Sequence, residues 1–413
     1  MPGVERVARP VSLLLVLGCT CATLILGGAL KAPCASADWS DGRQYRQFCY
    51  SDIVPLLGTE QLAGGRLPFV QACLETGGQC DEYPVLTMYF MRVAGWIGGS
   101  TTAGFFTANA ILLWICAAAI ATFLYMLGAK ALWFALAPTL LIYGFMNWDL
   151  FAVALATSAL VAFARRRDGL AGVLLGLGAA AKFYPVMLVV PLIAHRLRDR
   201  EPDDAIKIGW AAAGTWLLVN LPFALASPSG WSTFYRFNAA RPADWDSLWY
   251  IGCGHVHVPT ICDHTSRINA LSLGLFVASF ALVWMWKRRR EPDFARWSLV
   301  FPMLVLFLLS NKVYSPQYGL WLLPFFALGM VEMPAFLAFE AVDVAVFVSR
   351  FSFFGRLTGV GGLPFGVFEI AIAVRTMILL WCVVSWIRRP SEELAGLDQS
   401  IVGAPVADVR APA

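Results

Sequence analysis

Long apolar segments bounded by clusters of arginine and lysine run through most of this 413-residue chain. Hydrophobic residues form 59% of the sequence and charged residues 14%, whereas a soluble domain carries about 25% charged residues. An apolar run of about 20 residues crosses the bilayer core as a helix, because a helix satisfies its own backbone hydrogen bonds there. The pattern therefore predicts an all-α, polytopic membrane protein.

The apolar runs number about twelve if each transmembrane helix takes roughly 20 residues, although several runs are shorter. The stretch 170–194 has Lys182 and Pro185 in its middle, so it is either one broken helix or two short ones. The predicted spans are 11–30, 103–127, 131–145, 150–163, 170–181, 185–194, 206–226, 268–286, 297–309, 318–330, 335–348 and 366–387.

The basic clusters all fall on one side of the membrane when about twelve spans are counted, and the positive-inside rule makes that side cytoplasmic. Both termini are then inside. We therefore divide the chain into a cytoplasmic N-terminus (1–10), a transmembrane domain (11–389) and a disordered cytoplasmic tail (390–413). The clusters are Arg6 with Arg9, Lys130, 165–167, 196–200, 287–290, and Arg388 with Arg389.

The segment Ala35-Ser36-Ala37 resembles a signal-peptidase site. The preceding run, 11–30, is longer than the usual signal core of about 7–15 residues, which favours an uncleaved first helix. Either interpretation leaves the next loop outside.

Two long outer loops follow from this topology, at about 31–84 and 227–267. Each contains an even number of cysteines on the oxidising side of the membrane, so disulfides are expected. The four cysteines of the first loop allow three pairings, and the sequence does not choose among them. Short apolar segments at 84–96 and 53–62 are interpreted as interfacial helices on the outer surface. The candidate disulfide cysteines are Cys34, Cys49, Cys73, Cys80, Cys253 and Cys262.

Asp52 follows the first span and is the leading candidate for chemistry. A carboxylate there can take a proton from an attacking hydroxyl as a general base. It can equally be the N-cap of a helix that begins at Ile53, since Ser51 and Asp52 are both good capping residues. The two interpretations weigh about the same on the residues alone.

Two further outer segments combine polar and aromatic residues, as sugar sites do. Glu82 and Tyr83 end the first outer loop, and Asn147, Trp148 and Asp149 form a short outer turn. A solvated loop end explains the first segment as well, and an N-cap at Asp149 explains the second.

Lys182 and Lys312 are cations in or beside apolar stretches, where a charge usually faces a cavity or a ligand. Snorkelling to the surface is the alternative for Lys182. The segment Asn311-Lys312-Val313-Tyr314-Ser315-Pro316-Gln317-Tyr318 fits an anionic headgroup better than a simple polar turn.

Three histidines, His255, His257 and His264, lie beside Cys253 and Cys262. A metal site is conceivable there, but a disulfide would remove both thiolates, so we predict no metal and no cofactor. The chain has neither a P-loop nor a Gly-x-Gly-x-x-Gly motif after a strand. An activated substrate would therefore come from the membrane, and nucleic acid is not an expected partner.

These features resemble the GT-C class of glycosyltransferases, and within it the glycosyltransferase 87 family, the polyprenyl-phosphate-mannose-dependent type of actinobacteria. The resemblance covers roughly residues 10–390, and its most specific piece is Ser315-Pro316-Gln317-Tyr318. The matching segments are Tyr50-Ser51-Asp52-Ile53, Glu82-Tyr83-Pro84, Lys182-Phe183-Tyr184-Pro185, Lys312-Val313-Tyr314-Ser315-Pro316-Gln317-Tyr318 and Trp321-Leu322-Leu323-Pro324.

The resemblance implies an inverting transfer of a sugar, expected to be mannose, from a polyprenyl-phosphate donor to a glycolipid or glycan hydroxyl of the cell envelope. The reaction would take place on the outer face of the plasma membrane, with Asp52 as base. The donor phosphate would meet Lys312 and Lys182, with Arg43 and Arg46 as lesser candidates. The sugar and acceptor candidates are Glu82, Tyr83, Asn147, Trp148, Asp149, Tyr184, Tyr314, Gln317, Tyr318, His255 and His257.

A transporter or flippase of a lipid-linked or anionic substrate is the alternative, because broken helices and intramembrane lysines also occur in transporters. The candidate residues cluster at the outer face rather than at the bilayer midplane, which favours the enzyme. The sequence does not identify the acceptor, and it does not separate mannose from arabinofuranose.

Overall fold

A computed structural model describes residues 11–36, 38–73 and 80–391. These residues form α-helices and short 3₁₀ turns and contain no strand, which confirms the all-α class. The predicted N-terminal segment 1–10 lies outside the described residues. So do Ala37 of the segment resembling a cleavage site and, from residue 392 onward, the predicted tail.

Twenty α-helices follow one another along the described residues. They are α1 (Leu13–Lys31), α2 (Arg43–Arg46), α3 (Ile53–Thr59), α4 (Val85–Gly98), α5 (Thr102–Met126), α6 (Ala131–Ala135), α7 (Pro138–Tyr143), α8 (Asp149–Ala164), α9 (Asp168–Ala181), α10 (Val189–Arg198), α11 (Pro202–Ala226), α12 (Pro228–Trp231), α13 (Thr233–Ala240), α14 (Leu248–His255), α15 (Pro259–Cys262), α16 (Thr265–Arg290), α17 (Val300–Ser310), α18 (Gly319–Ala327), α19 (Met333–Leu357) and α20 (Phe365–Arg388).

Among the described residues, five helices are long and apolar enough to cross a bilayer, namely α1, α5, α11, α16 and α20. Helices α4, α8 and α9 and the segment Arg296–Ser310 are apolar but shorter. Helix α19 has 25 residues but carries Glu340, Asp343 and Arg350. The helices fit a polytopic membrane protein, while the figure of about twelve spans stays a prediction.

The predicted break near Lys182 and Pro185 is confirmed. Helix α9 ends at Ala181, Lys182 takes an extended backbone conformation, and a 3₁₀ turn (Tyr184–Leu188) precedes α10. Proline lacks the N–H that would continue an α-helical ladder. The break therefore leaves Lys182 outside both helices.

Helices α9 and α11 pack with their backbones in close approach. A Cβ added at Gly172 would lie 2.5 Å from the carbonyl oxygen of Ile208, and one at Gly176 would lie 2.5 Å from that of Ala212. Small residues four apart allow this contact between membrane helices. The pair fixes the helix that ends beside Lys182.

Several basic clusters meet at one end of the helices. Arg196 pairs with Asp168 at 2.8 Å and donates to the carbonyl of Phe163. Arg166 pairs with Glu201, and Lys287 donates to the carbonyl of Arg389 at 2.6 Å. The chain direction of α8, α9, α16 and α20 puts the predicted outer loops at the opposite end.

The two loops predicted to lie outside, which we call the outer loops, are held by disulfides and by a buried ion pair. The cysteine pairs are Cys34–Cys49, Cys73–Cys80 and Cys253–Cys262. Arg66 and Asp81, both buried, pair at 2.7 Å. Burial raises the pKa of Glu60 to about 8, and this carboxyl group accepts hydrogen bonds from the backbone of Asp81 and Glu82. The segments predicted as interfacial helices form α3 and α4, but their position at a membrane surface stays a prediction.

Candidate functional site

A cavity of about 980 Å³ lies at the end of the helices away from the basic clusters. Its wall comes from the two outer loops, the Lys182 break, the segment 311–318 and the end of α19. Residues predicted from the sequence that line it are Asp52, Glu82, Tyr83, Asn147, Lys182, Tyr184, Lys312, Gln317 and Tyr318.

Each oxygen of the Asp52 carboxylate has one hydrogen-bond donor. The Tyr50 hydroxyl donates to Oδ1 at 2.8 Å, and the Asn147 side-chain amide donates to Oδ2 at 2.8 Å. Burial raises the pKa of Tyr50 well above its usual value, so this hydroxyl keeps its proton. The carboxylate is thus held in one orientation at the cavity wall.

The loop that carries Asp52 is fastened to the turn before α8. The Asp52 backbone N–H donates to the carbonyl of Met146 at 2.8 Å, and the Ser51 hydroxyl donates to that of Phe145 at 2.7 Å. The buried ammonium of Lys31 donates to the Tyr50 carbonyl at 2.7 Å. Asp52 occupies the N-cap position of α3, but its side chain makes no capping hydrogen bond. The carboxylate therefore lines the cavity and does not cap the helix.

Asn147, predicted to bind sugar, donates a hydrogen bond to the Asp52 carboxylate and lines the cavity. Its amide nitrogen also donates to the Tyr83 hydroxyl at 2.8 Å, and its amide oxygen accepts from the Trp148 N–H at 2.6 Å. All of the amide's polar atoms are engaged, so its orientation is fixed.

Lys182 is surrounded by aromatic rings and one carboxylate. Its ammonium pairs with Asp149 at 2.7 Å and lies 5.1 Å from the ring centre of Tyr318 and 6.0 Å from that of Tyr83. Trp321 stacks on Tyr318 with ring centres 4.0 Å apart and donates its indole N–H to Asp149. We call the cavity-lining members, Tyr83, Lys182, Tyr184, Tyr318 and Trp321, the lysine wall.

Lys312 has two backbone partners. Its ammonium donates to the carbonyls of Ala239 and Arg241 at 3.1 and 2.5 Å. Burial, together with the nearby Arg241 charge, lowers the pKa of Lys312 to about 8. These two carbonyls take two of its three N–H groups, so the ammonium offers the cavity a positive charge and one donor.

Sequence reasoning missed Arg241, Asp244 and Arg350, which also line the cavity. Asp244 lies 3.3 Å from the Arg241 guanidinium and 4.0 Å from that of Arg350. Arg350 also pairs with the buried Asp246. Arg350 had a signal in the sequence, namely a charge at the end of an apolar helix.

Glu82 lies in the cavity wall and has a raised pKa. Burial and the negative charge of Asp52 raise the pKa of Glu82, while Arg241 opposes the change. A carboxyl group shifted in this way can donate a hydrogen bond over a wider pH range than a solvated one.

Several of the predicted donor, sugar and acceptor residues lie outside the cavity wall and contact other groups. Asp41 pairs with Arg43 at 3.0 Å and accepts from Arg46 through its carbonyl. The buried Trp148 donates to Asn109 at 2.6 Å. Tyr314 is buried beneath the Arg375 guanidinium at 3.8 Å, and Asp149 is buried behind Lys182.

His255 and His257 are exposed and also lie away from the cavity. His255 contacts Glu369, and His257 lies 3.3 Å from Asp263. The neighbouring cysteines form a disulfide, which takes the thiolates from a metal site. Cys73, Cys80 and Asp81 are close enough to share an ion, but those two cysteines are also paired.

The helices and the cavity define a membrane protein with a charged and aromatic site at one end. A sequence profile of glycosyltransferase family 87 matches residues 82–310, more than half of the chain. The chain therefore belongs to glycosyltransferase family 87. No curated protein sequence gives a significant match. Family membership favours a transferase over the transporter alternative. Asp52 and the segment 311–318 lie outside the matched residues.

Proposed function

We propose that this protein transfers a sugar, expected to be mannose, from a polyprenyl-phosphate donor to a hydroxyl of a cell-envelope glycolipid or glycan, with inversion. The observation that carries the proposal is the oriented Asp52 carboxylate, which shares one cavity with Lys182, Arg241, Lys312 and Arg350. A base and several cations in one cavity match the needs of a displacement from a phosphate leaving group.

Asp52 acts as the general base in this proposal. The acceptor oxygen forms a bond to the anomeric carbon while the bond from that carbon to the phosphate oxygen breaks. The acceptor proton passes to Asp52, and the electron pair of the broken bond leaves with the polyprenyl phosphate. The donors from Tyr50 and Asn147 leave other lone pairs of the carboxylate available for the acceptor hydroxyl.

Arg241 and Lys312 are the cations we assign to the departing phosphate. Both line the cavity, and the Lys312 ammonium is bonded to the Arg241 carbonyl, so the lysine charge lies where the Arg241 side chain begins. Positive groups that are already in place stabilise charge as it develops on the leaving oxygen. Lys182 is the weaker candidate because its ion pair with the buried Asp149, at 2.7 Å, is closer than the 3.3 Å pair of Arg241 with Asp244.

The lysine wall is the proposed pocket for the donor sugar. Its rings offer flat faces, and Lys182 and Glu82 offer hydrogen bonds. Mannose is the sugar indicated by the resemblance to polyprenyl-phosphate-mannose-dependent enzymes.

The side of the cavity formed by α13 suits a lipid-linked donor. Phe234, Tyr235 and Phe237 of that helix line the cavity, and Tyr235 is exposed. Neighbouring α11 and α16 carry exposed leucines such as Leu225 and Leu273. A lipid chain can follow this apolar surface while its phosphate reaches Arg241.

The cavity is proposed to open on the extracytoplasmic face of the plasma membrane. The basic clusters meet at the other end of the helices, and positively charged ends remain cytoplasmic. The outer disulfides agree with an oxidising compartment.

Transfer of radiolabelled mannose from polyprenyl-phosphate-mannose in membranes tests the proposal. We expect Asp52→Asn to lose roughly 100-fold or more of the rate, since a general base contributes about that much. Asp38→Asn is the matched control, because it removes an exposed carboxylate from the same outer loop.

Full transfer by folded Asp52→Asn would exclude Asp52 as the base. Failure of the wild type with every polyprenyl-phosphate sugar would overturn the enzyme proposal itself. Transfer from polyprenyl-phosphate-arabinofuranose alone would keep the mechanism and replace the sugar.

A further inference from the structure

A second group of aromatic rings lines the cavity on another side of Asp52. The Tyr50 ring stacks against Phe351 with centres 5.1 Å apart, and Tyr45 lies nearly parallel to Tyr50 at 6.3 Å. Phe354 meets Tyr45 edge-on at 6.0 Å. All four residues line the cavity, and we call them the phenylalanine wall.

Hydrogen bonds link each oxygen of Asp52 to a different wall of the cavity. Oδ1 is bonded to Tyr50, a member of the phenylalanine wall. Oδ2 is bonded to Asn147, whose amide nitrogen also donates to Tyr83 of the lysine wall. The carboxylate therefore lies between two aromatic surfaces, as a base must when two substrates meet in front of it.

The phenylalanine wall has polar groups beside its ring faces. The Arg350 guanidinium lies 4.9 Å from the ring centre of Phe354 and is anchored by Asp246, so it is a fixed donor. Asp244 adds a carboxylate at 4.0 Å from Arg350. Flat rings with a donor and an acceptor at their edge suit a sugar ring, which has an apolar face and a rim of hydroxyls.

We propose that the phenylalanine wall is the acceptor subsite, which holds the sugar ring whose hydroxyl is the nucleophile. The proposal rests on the glycosyltransferase function above. The sugar lies against Tyr45 and Phe354, Arg350 binds a neighbouring hydroxyl, and the reacting hydroxyl points to Asp52. Its proton goes to Asp52, its oxygen bonds to the anomeric carbon, and polyprenyl phosphate leaves.

Linkage analysis of the labelled product tests the acceptor class and does not require a purified acceptor. Membranes from the producing strain, with the gene deleted and the protein supplied from a plasmid, are incubated with polyprenyl-phosphate-[14C]mannose. We expect methylation analysis to find the labelled sugar on a ring hydroxyl of another sugar. Label on a lipid alcohol or on a protein serine or threonine would overturn the proposal.

Substitutions at Tyr45 test the subsite itself. With acceptor extracted from the same membranes and titrated at saturating donor, we expect Tyr45→Leu to raise the acceptor KM roughly tenfold and to leave the donor KM unchanged. Tyr45→Phe keeps the ring and should raise the acceptor KM less. Trp96→Leu, a change at an exposed ring of α4 outside the cavity, is the control.

An unchanged acceptor KM in folded Tyr45→Leu would exclude the phenylalanine wall as the subsite, and a change in the donor KM alone would assign it to the donor. Both results require a wild type that transfers label, so they differ from failure of the proposed function, in which the wild type transfers nothing.

Discussion

The two donors to Asp52 come from separate parts of the chain, and each controls one carboxylate oxygen. Tyr50 belongs to the same loop as Asp52, whereas Asn147 comes from the turn before α8. The two hydrogen bonds therefore fix the direction in which the carboxylate points into the cavity.

Tyr50→Phe removes one of these donors. We expect kcat to fall roughly tenfold, since a hydrogen bond to a charged group contributes about 1.5–3 kcal/mol. Initial rates of labelled mannose transfer at saturating donor and acceptor measure the change in kcat.

The matched control is Tyr89→Phe, which removes a hydroxyl bonded to the Pro68 carbonyl outside the cavity. Equal losses of kcat in the two variants would mean that the effect is one of general stability.

The lowered pKa of Lys312 predicts the alkaline limb of the pH–rate profile. Its pKa is lowered to about 8, so the ammonium is charged below that pH and loses its proton above it. We expect kcat/KM, which reports on the free enzyme, to be about tenfold lower at pH 9 than at pH 7. Lys312→Arg keeps the charge and should extend activity to higher pH. An identical alkaline limb in both proteins would exclude Lys312 as the titrating cation.

At the residue scale, the sequence was informative where an unusual residue type stood in an apolar context. Lys182 and Lys312 were found in this way, and both line the cavity. Arg241 and Asp244 gave no such signal, because charges are ordinary in a polar loop. Arg350 lies about a hundred residues further along the chain, and only tertiary packing brings it beside Arg241 and Asp244.

At the element scale, helix α9 delivers Lys182 to the cavity, and its contact with α11 holds it there. The predicted break in this region is confirmed because proline and an ionisable residue inside an apolar run give a local signal. Helix α19 is longer than the predicted span 335–348, since charged residues interrupt its apolar pattern although they face buried partners.

The close contact of α9 with α11 predicts a strong effect of a single methyl group. Gly176→Ala would place a Cβ 2.5 Å from the carbonyl oxygen of Ala212, so the two backbones must separate. We expect a destabilisation of about 1–3 kcal/mol, as for overpacking elsewhere. Thermal unfolding in detergent, followed by a fluorescent thiol reporter or by circular dichroism, measures the change.

Gly169→Ala is the control within the same helix, because an added Cβ there meets nothing within 4 Å. This change should be neutral or stabilise the helix by about 0.5–1 kcal/mol through backbone entropy. Equal melting temperatures for Gly176→Ala and Gly169→Ala would contradict the close packing of α9 on α11.

At the scale of the whole molecule, charge divides the protein into two ends. Arginine and lysine clusters meet at one end, and the cavity, the three disulfides and the outer loops lie at the other. The sequence predicted this division because charge bias and hydropathy are properties of short segments. The number of spans is harder to predict, since short apolar helices such as α6 and α7 need not each cross the bilayer.

The orientation of these two ends predicts which engineered cysteines a membrane-impermeant maleimide reaches. Thr358→Cys lies on the exposed connection between α19 and α20 at the cavity end, and Asp203→Cys lies at the exposed start of α11 among the basic clusters. We expect labelling of Thr358→Cys in intact cells and labelling of Asp203→Cys only after permeabilisation, because positive clusters remain cytoplasmic.

The unsubstituted protein sets the background of that experiment, since it already contains four free cysteines, Cys19, Cys21, Cys116 and Cys382, within the described residues. The reverse labelling pattern would place the cavity on the cytoplasmic side. A lipid-linked donor presented on the outer leaflet would then be out of reach, and a donor from the inner leaflet would have to replace it. Labelling of both positions in intact cells would contradict a membrane between the two ends.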